Sequence, residues 1–254
     1  MIQTHATVVA REISGASQEL RLHAPELARQ LVPGQAVLVR GSWGADPYLR
    51  RTFHPVALDD ATWTLRLPPS GDWAHAWLRV APEGTLLDCI GPVGNGYHLR
   101  EGARNVLCLG ESDATWALLP AILEADAAGL AVAFAMEAAL ERDLIPAGRL
   151  PATVEYHTAT PDAAGRGRLS LAGMLSWADM LLAAGSLPFY GRLASEAEAA
   201  RFGVAEGFAQ ALYPATFLCG YGACQACVAD VAGGRRRVCR RGPVFDLKDV
   251  VHAD

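Results

Sequence analysis

The chain has 254 residues, of which 51% are hydrophobic and 19% charged, with a formal net charge of −5. That is enough apolar material for one to three compact cores, and the acidic balance gives no general reason to expect nucleic acid as a partner. Apolar runs are short and broken by Glu, Asp or Pro, so no stretch of about 20 residues is suited to crossing a bilayer. Together with an N-terminal segment that lacks the zones of a signal peptide, this predicts a soluble cytoplasmic protein without a membrane partner.

Residues 1–100 read as β-rich. Candidate strands are HATVVAREI, QELRLHA, GQAVLVR, FHPVAL, TWTLRLP and GTLLDCI, several of them separated by turn signals such as SGAS, VPG, DD and PEG. Short strands at this density predict a small closed barrel or sandwich. DWAHAWLRV predicts a short helix whose Trp73 and Trp77 share one face, and core packing is expected of both. The glycine-rich GPVGNGYHLREG follows as a loop and domain boundary.

From Asn105 the pattern changes. NVLCLG, LAVAFAME, ATVEYHT and ADMLLAAG read as strands, and PAILEADAAG, AALERDL and PFYGRLASEAEAARFG as helices. Pro188 near the start and Gly203 just past the end mark the last of these helices. Strands alternating with helices predict a largely parallel α/β sheet over 101–214. In the turn after its first strand, Ser112 or Asp113 is expected to cap the following helix. The remaining piece, 215–254, is too small to fold on an apolar core alone and needs a staple.

That staple is visible. Cys219, Cys224, Cys227 and Cys239 are spaced C-x4-C-x2-C-x11-C, four of the chain's 6 cysteines. This is the plant-type arrangement for a [2Fe–2S] cluster, with three thiolates from a tight loop and the fourth from a return strand. Gly220 and Gly222 let the backbone curl around an inorganic core, with amides turned toward sulfur. Structural zinc, the alternative, usually shows short knuckle pairs, and only Cys224 and Cys227 form one. Cys89 and Cys108 sit alone in apolar runs and read as core residues. Arg235, Arg236, Arg237, Arg240 and Arg241 flank the last cluster cysteine. They read either as a solvated hairpin turning at Gly233-Gly234 or as a docking face for an acidic partner.

CGYGACQACVAD followed by VCRRGPVF resembles the cluster domain of the electron-transfer subunit of class 1B dihydroorotate dehydrogenase, within the ferredoxin–NADP reductase superfamily. GPVGNGY is similar to that family's GPLGNGF-type loop, and AGSLPFYGRL to its stretch after the fifth strand of the nucleotide domain. The resemblance runs the whole chain in order. It implies an antiparallel FAD barrel over 1–100, a nucleotide-binding-like α/β domain over 101–214 and a [2Fe–2S] domain over 215–254. It implies an electron-transfer role in pyrimidine biosynthesis, with the dehydrogenase centre in a separate FMN-containing subunit and a heterotetrameric assembly. No catalytic residue is expected in this chain.

Carried over by position, the flavin side is expected at Arg51, His54, Pro55, Val56, Ala57, Leu78, Arg79, Val80, Gly84 and Thr85. The departures are specific. Where the family has R-P-x-S, this chain has His54-Pro55-Val56-Ala57, losing both polar side chains, although Arg50 and Arg51 lie just upstream. Where it has G-x-G-T, this chain has Pro82-Glu83-Gly84-Thr85. The Gly-rich nucleotide turn is replaced by Gly110-Glu111-Ser112-Asp113-Ala114-Thr115, whose two carboxylates oppose a pyrophosphate. FAD is therefore expected and NAD is not. A relative that works as a [2Fe–2S] relay for another oxidoreductase, without NAD or even FAD, is the alternative.

Overall fold

The computed structural model describes residues 1–14, 17–41, 48–68, 71–201 and 203–251. The turn expected at SGAS includes residues 15 and 16, which lie outside them. The chain divides into two compact units. The β unit comprises Met1–Gly96, Ala215–Val228 and Arg237–Pro243, and the α/β unit comprises Tyr97–Pro214, Ala229–Arg236 and Val244–Asp254. The cysteine segment is thus shared between the units, with all four clustered cysteines in the first.

In the β unit, β1 (Ile2–Ser14), β2 (Ser17–His23), β3 (Ala36–Arg40), β4 (Arg51–Phe53), β5 (Ala57–Leu58), β6 (Thr62–Leu67) and β7 (Leu86–Val93) form one sheet. Its order is β4-β3-β7-β1-β2-β6-β5, and its paired strands run antiparallel. Helices α1 (Pro25–Ala28) and α2 (Trp73–Val80) belong to the unit, as does the short helix over Val238–Arg241. Strands remote in the order share one core: Phe53 of β4 lies in the same cluster as Trp63 of β6, with Leu58 of β5 packed against it. The sheet is therefore curled into the barrel-type architecture predicted.

FHPVAL is not one strand. Pro55 has no N–H to give a ladder, and the run breaks into β4 and β5 around it. The two tryptophans of α2 also part company. Trp77 packs on the core and lies over Gly41, where a Cβ would stand 2.1 Å from its ring. Trp73, the first residue of the helix, is 53% exposed, because Ala74 and Leu78 take the buried face. Cys89 and Cys108 are fully buried, and burial first of all pushes both thiols far up, so they are inert core residues.

The α/β unit opens with β8 (Asn105–Glu111), a 3-10 turn over Ser112–Leu118, α3 (Leu119–Ala127), β9 (Ala131–Glu137) and β10 (Glu155–Ala159). It continues with α4 (Ala172–Trp177), β11 (Met180–Ala184), α5 (Leu187–Arg201) and β12 (Ala209–Leu212). Beyond it come β13 (Val228–Val231), β14 (Gly234–Arg237), α6 (Val238–Arg241), β15 (Val244–Asp246) and α7 (Leu247–Val251). The main sheet is ordered β10-β9-β8-β11-β12-β15, parallel except for the antiparallel β12–β15 pair. This is the doubly wound pattern, with chain order reversing between β8 and β11.

The helix expected at AALERDL reduces to a single 3-10 turn over Glu141–Asp143. Ala138 still donates to Ala159 O (3.0 Å) as an extension of strand pairing. The stretch left before Pro146 is too short to sustain a helix.

Candidate functional site

The four clustered cysteines ride on a loop and on α6. The loop turns through left-handed residues at Gly220 (φ +73), Gly222 (φ +78) and Gln225 (φ +57), the first two glycines as expected. Gly220 is also closely packed, since a Cβ there would lie 3.2 Å from both Leu38 Cδ1 and Val93 Cγ2. Val238 N donates to Cys227 O (2.9 Å), bringing the start of α6 back to the loop.

The thiols fall into two pairs. Cys219 lies beside Cys224, and Cys227 beside Cys239. The pairs are neighbours, since Cys239 also senses charge on Cys219. Cys227 and Cys239 are buried, Cys219 is half-buried and Cys224 is exposed. Among the described residues, no three His, Cys, Asp or Glu side chains are arranged to hold a single metal ion. Two adjacent pairs suit a rhombic two-iron core, in which each iron takes two thiolates, better than one tetrahedral zinc.

Backbone donors surround the sulfurs. Burial opposes a thiolate at Cys219, but the Cys224 amide and thiol and the Tyr221 and Ala223 amides outweigh it and bring the pKa down to about 6. Cys239 goes the other way, pushed up to about 12 by burial, by the adjacent Cys227 thiol and by the neighbouring sulfur charges, against the Gly222 amide. Amides converging on sulfur stabilise the negative charge that a bound and reduced cluster carries. A cleft of about 550 Å³ runs beside this loop, lined by Gly220, Cys239 and Arg240 with Gln30, Gln35 and Asn95.

The arginines divide. β13 and β14 form the expected two-stranded hairpin, turning at Gly233 (φ +78) and Gly234 (φ +100). Arg235 pairs loosely with Asp230 (3.6 Å) at its surface. Arg237, itself exposed, reaches back to the loop and donates to Gly222 O (2.8 Å). Arg240 and Arg241 are exposed in the last turn of α6.

The flavin-side positions are dispersed among core, turn and surface. Arg51 pairs with Asp72 (2.5 Å), whose carboxylate also caps α2 by accepting from Ala74 N (3.0 Å) and His75 N (3.2 Å). Arg50 is held with Arg40 on the buried Asp88, which Gln3 also contacts (3.0 Å). His54 Nδ1 lies 3.0 Å from Gly34 O, so it carries the proton, and burial holds the ring's pKa down and the side chain neutral. Pro55 and Val56 are buried, and Ala57 lies on the edge strand β5. Leu78 points into the core, Arg79 O accepts from Arg11, and Val80 is 71% exposed. Gly84 (φ +85) stands in an open turn, where the Thr85 hydroxyl donates to Pro82 O (2.6 Å).

At the nucleotide turn, neither Ser112 nor Asp113 caps the following helical segment. The 3-10 turn starts without a side-chain cap, and Ser112 itself takes φ +54, which leaves it out of capping geometry. Glu111 instead reaches Ser186: its Oε2 accepts from Ser186 Oγ (2.5 Å) and Ser186 N (3.2 Å). Sequence reading missed this pair and the Asp88 cluster. Their members lie 75 and 38–85 residues apart, and only the alternation of charge within apolar strands hinted at them.

The sheet architecture and the cysteine set define the class: a reductase-type fold of antiparallel and α/β units carrying an iron–sulfur type cysteine domain. Residues 215–251 match the family model described as the iron–sulfur cluster binding domain of dihydroorotate dehydrogenase B. The chain is 28% identical to the electron transfer subunit of dihydroorotate dehydrogenase B (NAD(+)) from Shouchella clausii strain KSM-K16, over 98% of both chains. It is 29% identical to that of Bacillus caldolyticus, over 95% of both. Its fold is similar to an NADH-dependent reduced ferredoxin-NADP oxidoreductase (TM-score 0.79, 20% identity, 96% of this chain and 88% of that one). It is also similar to phthalate dioxygenase reductase (TM-score 0.65, 12% identity, 88% and 71%). The chain is thus similar along its length to the dihydroorotate dehydrogenase B electron transfer subunits, as the sequence resemblance implies. No helix among the described residues is long and apolar enough to cross a membrane.

Proposed function

We propose that this chain is the electron transfer subunit of a dihydroorotate dehydrogenase type complex. A [2Fe–2S] cluster on Cys219, Cys224, Cys227 and Cys239 links a catalytic partner's FMN to FAD on the β unit. The observation that carries the reading is the pairing of four thiols two by two within a cradle of backbone amides. The cluster would supply single-electron steps between two-electron flavins. The protein's part is to hold the sulfurs, donate amides to them and keep Cys227 and Cys239 out of water.

For FAD, the side-chain donors are largely committed: Arg51 to Asp72, Arg50 to Asp88 and His54 to Gly34. The flavin would therefore rest on backbone, at the open edge of β5 (Ala57) and the exposed Gly84 turn. Arg240 and Arg241 would meet an acidic face of the partner beside the cluster. A heterotetramer with two copies of each subunit is the assembly proposed.

Anaerobic purification followed by visible spectroscopy and iron, acid-labile sulfide, zinc and flavin assays tests this reading. Equal iron and sulfide with FAD are expected. Stoichiometric zinc without sulfide would overturn the cluster, and the absence of releasable FAD would overturn the flavin assignment. Co-expression with a catalytic subunit that then co-purifies tests the partner.

A further inference from the structure

In a doubly wound sheet, a dinucleotide enters the crevice where strand order reverses, at the carboxyl ends of the strands. Here that point lies between β8 and β11. Glu111 is the last residue of β8, Ser186 follows β11, and the two meet across the crevice (Oε2 to Oγ, 2.5 Å). Ser186 Oγ in turn accepts from Phe189 N (3.2 Å) and so caps α5. The Glu111 carboxylate therefore sits at the N-terminus of a 15-residue helix, where the dipole and first amides attract an anion.

Two neighbours distinguish this carboxylate. Glu137, its register partner on β9, is buried and answered by Arg192 (2.7 Å), Arg168 (3.4 Å) and Leu169 N (3.2 Å). Among the described residues, no guanidinium is paired with Glu111. Beside it, Thr115 is fully buried, and its Oγ1 has no hydrogen-bond partner among the described residues. That oxygen lies 2.3 Å from where a Cβ on Gly110 would stand, directly against the end of β8. The anion position at the crevice is thus filled from within, by Glu111.

We infer that Glu111 is a built-in competitor for phosphate at this crevice, and that it sets the affinity of the α/β unit for nicotinamide dinucleotides. A pyrophosphate entering between β8 and β11 must displace the carboxylate from Ser186 or bear its repulsion. The inference rests on reading the α/β unit as the nucleotide-binding unit.

The test is calorimetric titration of the full chain with ADP-ribose, which carries the pyrophosphate but no redox centre. NADH reduction of the protein's visible absorbance is followed separately. Glu111→Gln keeps hydrogen-bonding capacity toward Ser186 but removes the charge, and Glu111→Gly opens the space. Both are expected to bind ADP-ribose about tenfold or more tighter than the parent chain. If Glu111→Gly fails to fold, Glu111→Gln decides alone. NADH reduction of the parent chain with no tightening in a folded Glu111→Gln variant overturns this inference and leaves the nucleotide-unit reading standing. No ADP-ribose binding by any of the proteins at millimolar concentration, and no reduction by NADH, overturns both.

Discussion

Gly94 lies in the GPVGNGY loop with φ +77, and a Cβ there would stand 2.3 Å from Gly242 O and 2.4 Å from Pro243 Cδ. Both are backbone or ring atoms, so neither can swing aside as a long side chain could. Gly94→Ala thus forces the loop away from the segment that follows α6, where Asn95 N now donates to Gly242 O (2.7 Å). The left-handed backbone costs about 1 kcal/mol, overpacking a further ~2 kcal/mol and the opened hydrogen bond ~1 kcal/mol. The sum is about 4 kcal/mol, which lowers Tm by about 8–16 °C at 2–4 °C per kcal/mol.

Because α6 carries Cys239, bound iron falls with stability. Gly84→Ala is the control: it shares the left-handed conformation (φ +85) but has nothing within 4 Å of its Cβ. Only the backbone cost applies there, about 1 kcal/mol. Thermal melts followed by near-UV circular dichroism, with iron assays on the same samples, compare the two variants. A Gly94→Ala protein that melts with Gly84→Ala and keeps its iron would refute the steric argument.

Cys224→Ala and Cys239→Ala are each expected to abolish most bound iron and sulfide, whereas Cys89→Ala, in the core, leaves metal content unchanged; metal analysis of the three checks this. Trp63 is 1% exposed in the β-unit core, so Trp63→Ala costs about 3–5 kcal/mol, read from denaturant midpoints. The Asp179 carboxylate accepts from Arg104 N (2.9 Å) and Asn105 N (3.0 Å), and those amides hold its pKa below the ordinary value. A depressed carboxylate stabilises the fold above its unfolded pKa of about 3.9 and loses that effect as pH falls through its folded value. Asp179→Ala should therefore weaken the fold at neutral pH, with the gap to the parent closing below about pH 4. A gap independent of pH in denaturation curves would contradict this.

What was legible in the sequence was what short range determines. The cysteine spacing identified the thiols that pair, and hydrophobic runs located most strands to within a few residues. Gly129 (φ +77) and Gly203 (φ +121) mark the ends of α3 and α5 as helix-stop signals should. Local competition explains the misses: Pro55 splits one strand, and Pro146 leaves AALERDL no room for a helix. The pairings of Glu111 with Ser186 and of Arg40 and Arg50 with Asp88 were beyond reach. They depend on which strands become neighbours, and the strand order is set by the whole sheet rather than by any window of residues. For the same reason, the sharing of residues 215–254 between two units was not visible from their composition.

That sharing has a consequence for how the protein is made. Phe217 is fully buried in the β unit, its N–H given to Thr52 Oγ1 (2.8 Å), and β15 pairs with β12 in the α/β unit. Each unit therefore takes pieces from residues 215–251, far along the chain from its first strands. The core cluster of the β unit is drawn from residues 6–89, and Phe217 reaches Thr52 only once the chain beyond residue 215 has been made.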